Sequence, residues 1–196
     1  MQPHTFIFTG RSGCGKGTQA DLLKKHLADT MPLPQMYLEM GSLFREFIVR
    51  DGVTPALARE VQGRGGLQPS FLAVWLWSHF FAGLTDLNQH WVIDGGSRTV
   101  PEAMILDTAM RFYKRADVQV IYINVSKEWA VDRLRARRRA DDKAPENLEA
   151  RMKWFEDDVM PAIEYYRKNP GYTLVEVNGE QTVQEVFGEL LSKISR

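Results

Sequence analysis

Cysteine is nearly missing from this chain. Cys14 stands alone, so an internal disulfide is excluded, a cysteine-rich zinc site cannot form, and a reducing compartment is expected. Net charge is missing as well: 25 lysines and arginines meet 25 aspartates and glutamates. The whole molecule therefore has no field to gather a polyanion, and any anion site must be local. No apolar run reaches the about 18 residues of a membrane span. The opening MQPHTFIFTG lacks the charged start and long apolar stretch of a secretory leader. A cytoplasmic protein with no membrane partner is expected. Repeats and low-complexity tracts are also absent, and His79 and His90 show no ligand spacing, so no zinc is expected.

What the sequence does have is alternation. In 196 residues, long enough for one well-buried core, short β-branched and aromatic runs are separated by helical patterns. The strand candidates are TFIFT at 5–9, MYLE near Met36, WVID at 91–94, VQVIYINV at 118–125 and YTLVEV at 172–177. A helix is predicted from Lys16 to Ala28 with Leu22, Leu23 and Leu27 on one face. Near-continuous apolar strands between helices predict an α/β fold: one parallel sheet of about five strands, covered by helices on both faces. Two segments break the alternation, helix-like pieces from Gly41 to about Gly83 and the arginine-rich RLRARRRADDKAPE at 133–146. Trp75, Trp77, Trp129 and Trp154 sit on helical segments and are read as packing residues.

The most informative stretch is GRSGCGKGTQA, Gly10 to Ala20. It follows a predicted strand and opens a predicted helix, the setting in which a glycine-rich turn aims several backbone N–H groups and a helix N-terminus at phosphate oxygens. Gly10, Gly15 and Lys16 fit the general pattern G-x-x-x-x-G-K followed by Ser or Thr. Gly17 stands where the hydroxyl belongs, and Thr18 comes one place late. Phosphate binding by Gly13, Cys14, Gly15, Lys16, Gly17 and Thr18 is expected. A thiol at such a helix N-terminus is expected to have a lowered pKa, and a phosphate ligand seated in the loop should block its alkylation.

That way of writing the loop resembles adenylate kinases and related nucleoside monophosphate kinases of the P-loop class, and later motifs resemble them in order. MGSLFRE at 40–46 is similar to the family's second motif and puts Arg45 on the acceptor phosphate, with Met40 and Gly41 beside the acceptor nucleotide. A guanidinium forks onto phosphate oxygens, although alone Arg45 would read as a solvated helix arginine. IDGGSRTVPEA at 93–103 is similar to the third motif. There Asp94, at the end of a buried strand, can hold magnesium through water with Thr18 as partner, or simply cap a turn. Gly95 and Arg98 would meet the acceptor, as would Gly66, Leu67 and Gln68 earlier in the chain. Glu102 replaces the glutamine that such enzymes place against the acceptor base. An ionised carboxylate lacks the donor that adenine N1 requires and suits guanine better; the plainer reading is a solvent-facing residue in a first helical turn.

The resemblance extends through the basic segment. Arg133 would stack on the donor adenine, and Arg137, Arg139 and Arg151 would surround the transferring phosphoryl group together with Lys16 and Arg98, Arg139 and Arg151 also touching the acceptor. Asp141 and Asp142 directly after the basic run, and the neutral net charge, speak against nucleic acid. Gln181, near the last strand, would touch the donor. The implied organisation is a single kinase domain with a core of 1–38, 84–136 and 146–196, an acceptor-binding insertion at about 39–83 and a very short lid at about 137–145. So short a lid predicts measurable nucleotide hydrolysis without acceptor. The implied reaction is Mg2+-dependent transfer of the ATP γ-phosphoryl to AMP by a monomer. GMP, then UMP or CMP, are alternative acceptors, and a small-metabolite kinase is a further one. No N-K-x-D segment of a guanine-reading switch is present.

Overall fold

A computed structural model describes residues 2–31, 33–137 and 144–194. Five parallel strands form one sheet: β1 Thr5–Thr9, β2 Gln35–Glu39, β3 His90–Asp94, β4 Val118–Asn124 and β5 Tyr172–Asn178, in spatial order β2-β3-β1-β4-β5. The chain first runs to one side of β1 and then to the other. The order therefore reverses beside β1, and in an open α/β sheet ligands bind at the carboxyl ends of the strands at that switch point. The α/β parallel sheet and all five strand positions read from the sequence are present.

Helices cover both faces. They are α1 Lys16–Thr30, α2 Met40–Ile48, α3 Val53–Gly63, α4 Ser70–Ala82, α5 Val100–Phe112, α6 Lys127–Arg137, α7 Pro145–Trp154, α8 Met160–Lys168 and α9 Val183–Ile194. A five-residue π-helical turn, Phe155–Val159, joins α7 to α8.

The period of two along each strand sends alternate side chains to opposite cores. Ile7, Trp91, Ile93 and Val120 pack with α2, α4, α5 and α8. Phe6, Phe8, Val92, Ile121 and Ile123 pack with α1, α6, α7 and α9. Trp91, Val92, Ile93 and Val120 are fully buried, as a doubly covered sheet requires. Helix α1 follows its predicted span, but its buried face is Gln19, Ala20, Leu23 and Leu27, with Leu22 half-buried beside it. The insertion after β2 comprises α2, α3 and α4, whose aromatic residues Phe44, Phe47, Trp77 and Phe81 join the first core.

Candidate active site

The turn between β1 and α1 is built from positive-φ glycines: Gly10, Gly13 and Gly15 all have φ above zero. At Gly13 a Cβ would lie 2.5 Å from the Ala130 carbonyl oxygen, so a side chain there is excluded by both space and conformation. The Lys16 ammonium donates to the carbonyls of Gly10 (2.9 Å) and Arg11 (3.0 Å) across the turn. Gly17 faces Asp94, whose Oδ2 would be 3.4 Å from a Cβ placed there.

This loop forms one wall of a cleft of about 560 Å3. Gly13, Cys14, Gly15, Lys16, Gly17 and Thr18 line it, facing Asp94, Gly95 and Arg98 from the end of β3. Gly41, Arg45, Gly66 and Gln68 line it from the insertion, and Arg133, Arg137, Arg151 and Gln181 from the opposite side. Residues more than a hundred positions apart thus converge on one opening. Of the remaining expected site residues, Arg139 falls outside the described residues, as do Asp141 and Asp142 and most of the segment read as a lid. Met40, Leu67 and Glu102 do not line the cleft. Met40 is buried in the core, and Leu67 is half-buried beside Gln68.

Glu102 is neither solvent-facing nor at the cleft wall. It is 2% exposed, its Oε2 accepts the Arg98 backbone N–H at 2.7 Å, and Oε1 is buried without a hydrogen-bond partner among the described residues. Burial pushes its carboxyl above the ordinary range, opposed by the Arg98 backbone bond and the hydroxyl of Ser70. Its evident effect is to fix the backbone from which Arg98 projects, so the argument for guanine finds no contact here.

The arginines are individually held. Arg45 pairs with Glu39 at 2.8 Å, and its guanidinium occupies the space beside Gly41, where a Cβ would come within 2.9 Å of it. Arg98 lies 5.4 Å from the Trp154 ring centre. Burial pulls its pKa down, while Glu102 and Asp94 oppose that shift. Arg133 lies over the Trp129 ring at 4.9 Å, and Gln181 donates to Asn178 O and Glu189 Oε2. Arg151 is buried at the cleft wall.

Cys14 requires a correction. Its side chain is 5% exposed and packs in the second core. Burial pushes the thiol pKa up, outweighing Lys16 and the backbone N–H that favour the thiolate. Burial, rather than the helix N-terminus, sets the direction of this thiol's shift.

Trp129 and Trp154, read as packing residues, both line the cleft. Trp154 donates its indole N–H to Gly65 O at 3.1 Å and also packs on the small core of the π-turn. A sequence signal existed for each: Trp129 precedes Arg133 by four residues and Trp154 follows Arg151 by three, the spacings that share a helix face. Trp77 is buried, as expected.

Thr18 is exposed and Asp94 half-buried at the same end of the cleft. Burial raises the Asp94 carboxyl, and Lys16 chiefly opposes it. Among the described residues no group of three or more His, Cys, Asp or Glu side chains could hold a metal ion. A hard cation placed there would depend on phosphate oxygens and water for most of its ligands, which suits magnesium.

A phosphate loop at a topological switch point, faced by arginines from separate elements, defines a P-loop nucleotide phosphotransferase site. The sequence profile of the family described as adenylate kinase matches residues 8–170. The chain belongs to the adenylate kinase family. It is similar to an adenylate kinase of Flavobacterium psychrophilum, 29% identical over 96% of this chain and 97% of the relative. Adenylate kinase 1 of a Nostoc species is 29% identical over 94% of this chain and 95% of the relative. An adenylate kinase of Xanthomonas campestris is 27% identical over 97% and 98%. Among the described residues no helix is long and apolar enough to cross a membrane.

Proposed function

We propose that this protein transfers the γ-phosphoryl group of ATP to AMP, giving two ADP. The observation that carries the reading is convergence: the phosphate loop with Lys16 shares one cleft with Arg45 of α2, Arg98 of the loop after β3, Arg137 of α6 and Arg151 of α7. A loose phosphoryl-transfer state spreads charge over its peripheral oxygens, and fixed cations stabilise it without any covalent step by the protein.

In this mechanism the ATP phosphates rest on the N–H groups of residues 13–18, and Lys16 exchanges its loop carbonyls for phosphate oxygens. Arg133 and Trp129 hold the donor base on α6, with Gln181 across from them. Arg45 and Arg98 fork onto the acceptor phosphate, and the α2–α4 insertion at about 39–83 forms the acceptor side. Arg151 and Arg137 close on the transferring group, bringing donor and acceptor oxygens into line and excluding water. Magnesium, held through Thr18, Asp94 and water, would neutralise charge on the donor phosphates. A cytoplasmic monomer, with no nucleic-acid partner, is the simplest setting for this chemistry.

A panel of AMP, GMP, CMP, UMP and dTMP with Mg-ATP tests the acceptor. AMP should give the highest kcat/KM by at least about tenfold. A higher value for any other monophosphate would overturn AMP as the acceptor.

A further inference from the structure

Arg11, the single arginine of the phosphate loop, does not line the cleft. Its side chain turns sideways and is mostly buried, at 13% exposure. Nε donates to the carbonyl of Val125, just past β4, at 3.0 Å. One terminal nitrogen pairs with Glu156 at 2.5 Å, and the guanidinium lies 4.1 Å from the centre of the Phe155 ring. The other terminal nitrogen is buried with no hydrogen-bond partner among the described residues. A surface ion pair would contribute little, but a guanidinium held by two hydrogen-bond partners and stacked on a ring is geometrically fixed.

The two ends of this residue connect different parts of the reaction. Its carbonyl accepts from the Cys14 N–H at 3.2 Å and from the Lys16 ammonium at 3.0 Å, so its backbone sets the shape of the loop. Its side chain grips Phe155 and Glu156, the first two residues of the π-turn. Immediately before that turn lie Arg151 and Trp154, both lining the cleft, and Trp154 reaches on to Gly65 O and to Arg98. A π-turn is where a helix most readily changes direction, and Arg11 is the polar clamp seated on it.

We propose that Arg11 is a positioning residue that fixes the distance between the phosphate loop and the Arg151-bearing helix α7. It touches neither nucleotide. It holds the α7–α8 junction at the spacing that lets the cations of both walls act on one phosphoryl group. A displacement of about 1 Å between reacting partners can cost about 100-fold in rate, so the effect belongs in kcat. The proposal rests on the phosphotransfer reading given above.

The test compares wild type with Arg11→Ala, Arg11→Lys, Glu156→Gln and the Arg11→Ala/Glu156→Gln double variant. ATP and AMP Kd values are measured separately by calorimetry, and kcat is measured at a temperature where circular dichroism shows every variant folded. Arg11→Ala should lower kcat by about tenfold or more while each Kd changes by less than about threefold. Arg11→Lys should fall between, because it keeps the charge for Glu156 but loses the Val125 bond and the stack. The double variant should be no worse than Arg11→Ala, since both changes break one connection. An unchanged kcat with only a lower Tm would show a purely structural arginine and overturn the proposal. So would a kcat loss matched by an equal loss of ATP affinity, which would mean collapse of the loop itself. If wild type bound no AMP, the acceptor reading would fail instead, and the two failures are distinct.

Discussion

The side chains at this cleft are arranged so that charge is available but never loose. Lys16 rests on two carbonyls of its own loop, Arg45 rests on Glu39, and Arg98 is aimed by a backbone bond to Glu102 and flanked by Trp154. Replacing Arg98 with Lys keeps the charge and loses both the fork and the planar face. The acceptor KM should rise by about tenfold or more with the ATP KM nearly unchanged, in steady-state kinetics with each substrate varied. Unchanged acceptor kinetics would remove Arg98 from the acceptor phosphate. Cys14 supports a second expectation at this scale. A thiol 5% exposed, with its pKa raised by burial, should react with iodoacetamide at neutral pH far more slowly than free cysteine, with or without ATP. Rapid labelling of the folded protein that ATP suppresses would restore the activated thiol that the loop's sequence suggests.

At the scale of elements, the connections between α7 and the acceptor insertion deserve a direct test, because they hold one wall of the cleft to the other. Asn147 donates to Gly63 O at 3.0 Å and Trp154 to Gly65 O at 3.1 Å. Gly65 has a φ of 68°, and a Cβ on it would lie 2.6 Å from the Asn147 Cα. Gly65→Ala therefore meets left-handed backbone strain of about 1–2 kcal/mol together with a clash against main chain. It should lower Tm and raise the acceptor KM, measured by thermal melts and kinetics. A variant with wild-type Tm and KM would show that the two elements do not need this close contact. Much of this level was legible in the sequence. All five strands lie within about two residues of their predicted runs: β1, β3 and β4 are buried on both faces and so nearly continuously apolar, while the edge strands β2 and β5 bury alternate residues. The phosphate loop was equally plain, since the backbone geometry it needs is available only to glycine at Gly13. Less legible was anything set by tertiary facing. Helical spacing places Trp129 with Arg133 and Trp154 with Arg151, but which side of α6 and α7 opens to the cleft depends on what the rest of each helix packs against. The burial of Glu102 is illegible for the same reason: an acidic residue in a first helical turn normally faces water, and only the fold turns it inward beneath Arg98. The π-turn at Phe155–Val159 leaves no periodic mark in the sequence.

At the scale of the whole molecule, one buried histidine at the end of the sheet opposite the cleft links folding to pH. His90 is fully buried; its Nδ1 accepts the His4 backbone N–H at 3.1 Å, and Nε2 has no hydrogen-bond partner among the described residues. Burial, then His4 and Arg115, push its pKa below the ordinary 6.5. The unfolded chain thus takes up a proton at His90 before the folded one does, so the contribution of His90 to stability falls as pH drops from about 6.5 toward the folded value. His90→Asn keeps an acceptor for the His4 N–H and cannot titrate, so the variant's stability relative to wild type should rise between pH 7.5 and pH 5.5 in urea melts. A difference independent of pH would remove His90 from the acid response. The central claim is that the two sides of the cleft hold adenine nucleotides for phosphoryl exchange. It is tested most directly by supplying ADP and magnesium as the only nucleotide and metal and following products by chromatography. An enzyme whose donor and acceptor are ATP and AMP must convert ADP into ATP and AMP in equal amounts until equilibrium, and the protein should do so. If neither product formed while another monophosphate was phosphorylated by ATP, the assignment of AMP would be contradicted.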